Sequence, residues 1–355
     1  MNSANPHIPS AALLQQWQQL RSEQPRLRAR EAARLLSVSE AELLACRLGH
    51  GVLRLQADWA KLLPALEALG PVMVLTRNEH CVHERKGRYR ETSVMANGRM
   101  GLVVSADIDL RLFLSEWDSA FAVEEQSPRG TLRSLQVFDQ QGVAVHKVYL
   151  QDDSDLAAWQ ALLTGFSQEP QSAQLALKPA APAAPERADS EIDVASLRDG
   201  WRQLKDTHHF FALINKYGAA REQALRLAGE AWAERLPVAQ LVQALENAAQ
   251  RQTPIMVFVG NKHCIQIHSG PVSNLRWAGE WFNVLDPAFN LHLHMPAVAS
   301  LWRVRKPSSD GVITSLEAFS ADGELVVQLF GARKPGVPEL DGWRALAEAL
   351  PVEEA

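Results

Sequence analysis

Pro71-Val-Met-Val-Leu-Thr-Arg-Asn-Glu-His-Cys81 and Pro254-Ile-Met-Val-Phe-Val-Gly-Asn-Lys-His-Cys264 are one segment written twice, at a constant offset of 183 residues. Both run on to a glycine, Gly87 and Gly270. Outward from this pair the match continues in order. Asp109-Leu-Arg-Leu-Phe113 lies opposite Asn290-Leu-His-Leu-His294, and Ser134-Leu-Gln-Val-Phe138 opposite Ser315-Leu-Glu-Ala-Phe319, at an offset of 181. Matches in one order at nearly one offset imply an internal duplication.

Each half opens with helical sequence: Gln15-Gln-Trp17-Gln-Gln-Leu20 and Arg30-Glu-Ala-Ala-Arg-Leu-Leu36, then Trp201-Arg-Gln-Leu204 and Arg221-Glu-Gln-Ala-Leu-Arg-Leu227. Each half then turns to strands. Leu132-Arg-Ser-Leu-Gln-Val-Phe138 and Ala144-Val-His-Lys-Val-Tyr149 alternate apolar and polar residues across the turn Asp139-Gln-Gln-Gly142, and Ala321-Asp-Gly323 is the matching turn. The expected class is α+β: two tandem homologous repeats, each with N-terminal helices followed by a large antiparallel β-sheet, packed pseudo-symmetrically. The expected boundaries are 11–167 for the first repeat, 168–193 for a linker and 194–351 for the second. The linker contains Lys178-Pro-Ala-Ala-Pro-Ala-Ala-Pro-Glu186, too rich in proline for a ladder or a regular helix.

The composition is that of an ordinary globular protein, with 355 residues, 46% hydrophobic and 22% charged. A formal charge of −5 gives no overall positive field toward nucleic acid or anionic membrane, so an anionic ligand needs a local basic pocket. The start, MNSANPHIPSAALLQQW, lacks the pattern of a secretory signal, and no apolar run reaches 18 residues. Cytoplasmic residence without membrane insertion is expected. Three cysteines, Cys46, Cys81 and Cys264, form no CxxC or CxxCH, which argues against a disulfide framework, a zinc knuckle and covalent haem. GxGxxG, GxxxxGK[ST], GxSxG and HExxH are all missing, which removes the common nucleotide, hydrolase and zinc-protease readings.

A function carried by one half should show as a departure from the repeat. Trp17 to Arg30 spans 13 residues and Trp201 to Arg221 spans 20, so aligning the two arginines gives the second half seven extra residues. These include Asp206-Thr-His208-His209-Phe-Phe211, expected on an extended helix with His208 on the face of Leu204. A histidine pair beside two phenylalanines suits an axial haem ligand, since imidazole binds iron and aromatic rings pack on a porphyrin. The plainer alternative is surface histidines beside core phenylalanines. Haem propionates need cationic or amide donors, for which Arg221, Lys306 and Gln328 are candidates. Lys306 and Gln328 align with Glu125 and Lys147, so the repeat does not hold those positions, whereas Arg30 opposite Arg221 favours a shared structural role.

Other histidines are weaker candidates. His292 and His294 share a strand face and could clip a metal, but no third ligand is near in sequence. His80 and His263 are equivalent and read as structural. His83, His146 and His268 have no counterpart and no evident partner.

Asp206-Thr-His-His-Phe-Phe211, Arg221-Glu-Gln-Ala-Leu-Arg-Leu-Ala-Gly229, Trp281-Phe-Asn-Val-Leu-Asp-Pro287, Phe289-Asn-Leu-His-Leu293 and Arg99-Met-Gly-Leu-Val103 with Asp109-Leu-Arg-Leu-Phe113 together resemble the HemS, ChuS and PhuS family of bacterial haem-trafficking and haem-degrading proteins, over nearly the whole chain. The resemblance implies His208 as proximal ligand of one non-covalent ferric haem b per chain, with His209 as an alternative ligand. It implies Arg111 on the distal side with Phe113 nearby, haem between the halves, and propionate contacts at Arg221, Lys306 and Gln328. A tyrosine of the family just before that glutamine is Val327 here, which removes one hydroxyl.

Within this resemblance two functions compete. As a chaperone the protein receives haem from the cytoplasmic side of an ABC-type importer and hands it to a haem oxygenase, and the doubled histidine favours ligand exchange. As an enzyme it opens the macrocycle with a reductant and O₂ or peroxide, with Arg111 acting on the distal side. Outside the family stands a non-haem interaction scaffold. Trafficking is placed first.

Overall fold

A computed structural model of the chain describes residues 10–128, 130–181, 185–334 and 336–353. The chain forms two compact units. One comprises the described residues up to Thr76, Lys86–Ala181 and Asn261–Cys264; the other comprises Arg77–Arg85, the described part of 182–260, and Ile265 onward. The Asn261–Cys264 motif thus belongs to the first unit and the Asn78–Cys81 motif to the second.

In the first unit, helices Ser10–Glu23, Ala29–Leu35 and Glu40–Ala45 precede an antiparallel sheet. Five neighbouring strands of that sheet run in the order Val52–Leu55, Trp117–Ser127, Gly130–Asp139, Ala144–Leu150, Pro71–Arg77. Ser39 starts the third helix: its Oγ accepts the Glu42 N–H at 3.1 Å, while the Glu42 carboxylate accepts the Ser39 N–H at 2.8 Å, so two orphan donors are satisfied reciprocally.

In the second unit, Val194–Arg202, a 3₁₀ turn at Thr207–His209, Phe210–Tyr217 and Arg221–Ala228 precede a sheet in which five neighbouring strands run in the order Ala233–Leu236, Ser300–Ser308, Gly311–Phe319, Leu325–Gly331, Ile255–Asn261. Helix Gln240–Arg251 buries Leu241, Ala244, Leu245 and Ala248, the spacing of one helical face, against strand residues and Trp343. Truncating a leucine in that stripe to alanine would cost about 2–5 kcal/mol.

The duplication extends to pairing register. Val52 pairs with Val123 and Ala233 with Val304; Leu135 pairs with Val148 and Leu316 with Leu329. The sheet slips register between Val137 and Phe138, and again between the equivalent Ala318 and Phe319. The expected class, two α+β repeats with large antiparallel sheets, is what the chain forms.

Three details of the sequence reading are corrected. Because Val52 and Ala233 are equivalent, the helices just before them are too, so Glu40 and not Arg30 is the counterpart of Arg221. On that alignment Trp17 to Glu40 spans 23 residues against 20 in the second half, so the His pair lies in no insertion. The segment is also not one extended helix: Val194–Arg202 stops, the chain turns, and Gly218 at φ 67° ends Phe210–Tyr217. The described linker residues in 171–188 form no helix or strand, and Leu175 packs with Phe121 and Phe138 of the first unit; 182–184 lie outside the described residues.

The two cores differ at a buried polar cluster. In the first unit His146 bonds Thr76 Oγ1 at 2.9 Å through Nδ1 and the Tyr89 hydroxyl at 2.7 Å through Nε2, and Cys264 Sγ lies 3.3 Å from Thr76 Oγ1. All four residues are buried. Their counterparts in the second unit are Val259, Val272, Val327 and Cys81, all within one apolar core. His146 thus has the partners its sequence did not reveal, as does His83, whose Nδ1 meets Gln266 Nε2 at 2.7 Å.

Candidate functional site

The turn at Thr207–His209 exists because Asp206 caps it: the Asp206 Oδ1 accepts the His208 backbone N–H at 2.8 Å. The same Oδ1 lies 2.6 Å from His208 Nδ1. Three quarters of the His208 side chain is exposed. His209 is exposed as well, and its backbone N–H donates to the Asp206 carbonyl at 3.1 Å. The next two residues split: Phe210 is buried against Trp201, ring centroids 4.7 Å apart, while Phe211 is 64% exposed.

Phe210 connects this turn to charge. Its ring carries the Arg221 guanidinium at 5.2 Å and the Lys306 ammonium at 4.5 Å, both cation–π distances. The two cations converge on Glu317, through Arg221 Nε to Oε2 at 2.8 Å and Lys306 Nζ to Oε1, and Ser315 Oγ donates to Oε1 at 3.0 Å. Glu317 is fully buried and Lys306 nearly so, whereas a quarter of the Arg221 side chain reaches solvent. Burial pushes the Lys306 ammonium down to about 8. Burial would raise the Glu317 carboxyl, but Arg221 and Lys306 outweigh it and hold the group well below the usual carboxylate range. Two cations against one carboxylate leave one positive charge in a low-dielectric wall.

Gln328 sits opposite Glu317 in the ladder, on the same face. The structure therefore brings Arg221, Lys306 and Gln328 together around Glu317, with His208 two residues from the ring beneath the cations. Lys306 is enclosed and engaged by Glu317, leaving Arg221 as the exposed cation of this group. Glu317 is the member that sequence reasoning missed, and Phe210, expected to pack on a porphyrin, instead lies buried beneath the two cations. The available signal for Glu317 was an acid in period 2 with Ser315 on a strand otherwise apolar on that face.

Arg111 and Phe113 belong to strand Asp109–Phe113 of the first unit. The Arg111 guanidinium is paired with Asp109 and also donates to the Leu110 carbonyl at 3.2 Å. Val327 is buried in the second unit's core and supplies no polar group. His292 Nδ1 meets Asn283 Oδ1 at 2.6 Å and His294 Nε2 meets Glu280 at 3.3 Å. Among the described residues, no group of three or more His, Cys, Asp or Glu is placed to hold a metal, and no helix is long and apolar enough to cross a membrane. All three cysteines are buried and free.

The residues present fit haem: an exposed imidazole with one nitrogen held, an exposed aromatic ring beside it, and surplus positive charge for propionates. Fold and site together define a tandem-repeat α+β protein with a one-sided cationic histidine site. The chain belongs to the HemS family: residues 37–166 and 218–350 match the model described as haemin-degrading HemS.ChuX domain. Over 336 residues, 94% of this chain and 96% of the relative, it is 43% identical to "Hemin transport protein HmuS" of Yersinia pestis. Over the same shares it is 40% identical to "Hemin transport protein HemS" of Yersinia enterocolitica. The crystal structure of holo-PhuS, a heme-binding protein from Pseudomonas aeruginosa, superposes with a TM-score of 0.96 at 62% identity, covering 98% of this chain and all of that one. ChuS, described as an E. coli heme oxygenase, gives 0.86 at 37% identity, covering 95% and 99%.

Proposed function

We propose that the protein binds one ferric haem b non-covalently through His208, receives it from the cytoplasmic face of an ABC-type importer and passes it to a haem oxygenase. The carrying observation is that one short segment supplies both halves of such a site: exposed His208 as the ligand, and Phe210 as the floor beneath Arg221 and Lys306. Arg221, with Gln328, would meet the propionates; Lys306 would reach them only by leaving Glu317. His209 offers a second imidazole next to the first, which suits a cargo that must be handed on. Arg111 and Phe113 are the proposed distal residues.

A second reading, degradation of the macrocycle, is favoured by the likeness to ChuS. In that case Arg111 would act on the distal side.

The test is a hemin titration of the protein beside His208→Ala and His209→Ala. A saturable Soret band at one haem per chain, altered chiefly by His208→Ala, is expected. No saturation in the parent would sink haem binding, and a larger effect of His209→Ala would move the ligand by one residue. Biliverdin or verdohaem formed from the loaded protein with a reductant, catalase being present, would place degradation ahead of transfer.

A further inference from the structure

The structure assigns Asp206 as the positioning residue of the haem site, the group that selects His208 over His209 and sets the donor strength of its imidazole; this rests on the ligand reading above. A single carboxylate oxygen, Oδ1, is held by the His208 backbone N–H at 2.8 Å and meets His208 Nδ1 at 2.6 Å. The backbone bond holds the carboxylate independently of the ring, since Asp206 is extended at φ −150° and ψ 131° and caps the turn that carries the histidine. A carboxylate only accepts, so the proton between them sits on Nδ1 and the lone pair on Nε2. Nε2 is then the only nitrogen of His208 able to ligate.

Two consequences follow from that tautomer. A histidine that donates to a carboxylate is a stronger electron donor at its other nitrogen, and such partners change metal affinity by about 10–100-fold. Stronger donation stabilises ferric over ferrous iron, so Asp206 favours holding haem oxidised. His209, by contrast, hydrogen-bonds Asp206 through its backbone N–H, to the carbonyl and not the carboxylate, and among the described residues no hydrogen bond holds its ring. The carboxylate therefore distinguishes two adjacent imidazoles that sequence alone presents as equals.

The experiment uses the haem-loaded protein with Asp206→Ala and Asp206→Ser. Serine keeps an acceptor for the turn but cannot take the charged hydrogen bond from the ring, so it separates capping from imidazole positioning. The readouts are the iron–histidine stretching band of the ferrous protein, the haem midpoint potential and the haem dissociation constant. In both variants the band should fall in frequency, the potential should rise, and the dissociation constant should increase about tenfold or more. Unchanged band and potential in both variants, in a parent whose band is lost with His208→Ala, overturn this inference alone. A parent band that survives His208→Ala overturns the ligand assignment and this inference with it.

Discussion

Arg221 and Glu40 occupy the same position of the repeat with opposite charge, each the first residue of the helix that leads into the first strand of its sheet. The rest of the group is exchanged with them. Where the second unit has Arg221, Lys306, Glu317 and Gln328, the first has Glu40, Glu125, Gln136 and Lys147. Lys147 pairs with Glu40 at 3.3 Å and Arg47 with Glu125 at 2.7 Å. One scaffold thus presents a surplus cation in one copy and a charge-balanced set in the other, and only the cationic copy suits a dianionic ligand.

Arg221 should therefore matter for haem and Glu40 should not. Arg221→Ala removes a charge-assisted contact of about 1.5–3 kcal/mol, which corresponds to a rise in the haem dissociation constant of roughly 10- to 150-fold. Glu40→Ala should leave it unchanged. Equal effects of the two substitutions in a hemin titration would refute the asymmetry.

Glu317 should behave as a buried counter-ion. Glu317→Gln leaves Lys306 enclosed with its compensating charge gone and should cost about 3–5 kcal/mol. Adding Lys306→Met should recover much of that loss, because the uncompensated charge goes with it. Urea unfolding of the parent, the single and the double variant reads this directly, and a double variant as unstable as the single would contradict it.

The polar group around His146 should make the first unit acid-sensitive. Burial pushes the His146 imidazole down to about 3, while an unfolded histidine titrates near 6.5. A depressed histidine means that below about pH 6.5 the unfolded chain takes up a proton the folded chain refuses. Stability should then fall as pH drops from about 6.5 toward 3, by about 1.4 kcal/mol per pH unit for this group. His83 and His268 are shifted in the same direction, mainly by burial, and add to the slope. Replacing the group with Thr76→Val, Tyr89→Phe and His146→Val should flatten urea midpoints against pH by one proton's worth; an unaltered slope would show that His146 titrates normally.

The two Asn-x-His-Cys segments should be anchored by their asparagines. Asn78 Nδ2 donates to the Val326 carbonyl at 2.8 Å and Asn261 Nδ2 to that of Val145 at 2.9 Å, the same bond in both copies. Each Oδ1 also accepts the backbone N–H of the histidine two residues on, at 3.0 Å in both. Asn78→Ala and Asn261→Ala should each destabilise by about 2–3 kcal/mol, as buried carbonyls and N–H groups lose partners. Thermal melts of both variants check this, and a neutral result for either would show that its bonds are replaced by water.

Much of this was legible in the residues. The duplication, the α+β class, the hairpins at Asp139-Gln-Gln-Gly142 and Ala321-Asp-Gly323, and the nomination of Arg221, Lys306 and Gln328 came from repetition, period and residue chemistry, whereas the insertion that singled out His208 came from a wrong alignment and only the residue chemistry of the histidine pair stands. The pairing of Arg30 with Arg221 failed because both begin a similar helical string, Arg-Glu followed by apolar residues. Strand register decided for Glu40, since a ladder fixes equivalence residue by residue where a short helix motif does not. The enclosure of Lys306 was hidden because its partner Glu317 lies on the neighbouring strand, 11 residues away.

The sequence by itself determined that the chain is a doubled fold with a histidine-bearing segment in one copy, because repeats and side-chain alternation are properties of linear order. Only the tertiary structure decided which cations are engaged, which histidine a carboxylate holds, and that each Asn-x-His-Cys segment belongs to the compact unit formed mainly by the other repeat. Burial and hydrogen-bond geometry depend on how the backbone turns and on what neighbouring strands bring together, whether the residues are 2 positions apart, as Asp206 and His208 are, or 11, as Lys306 and Glu317 are.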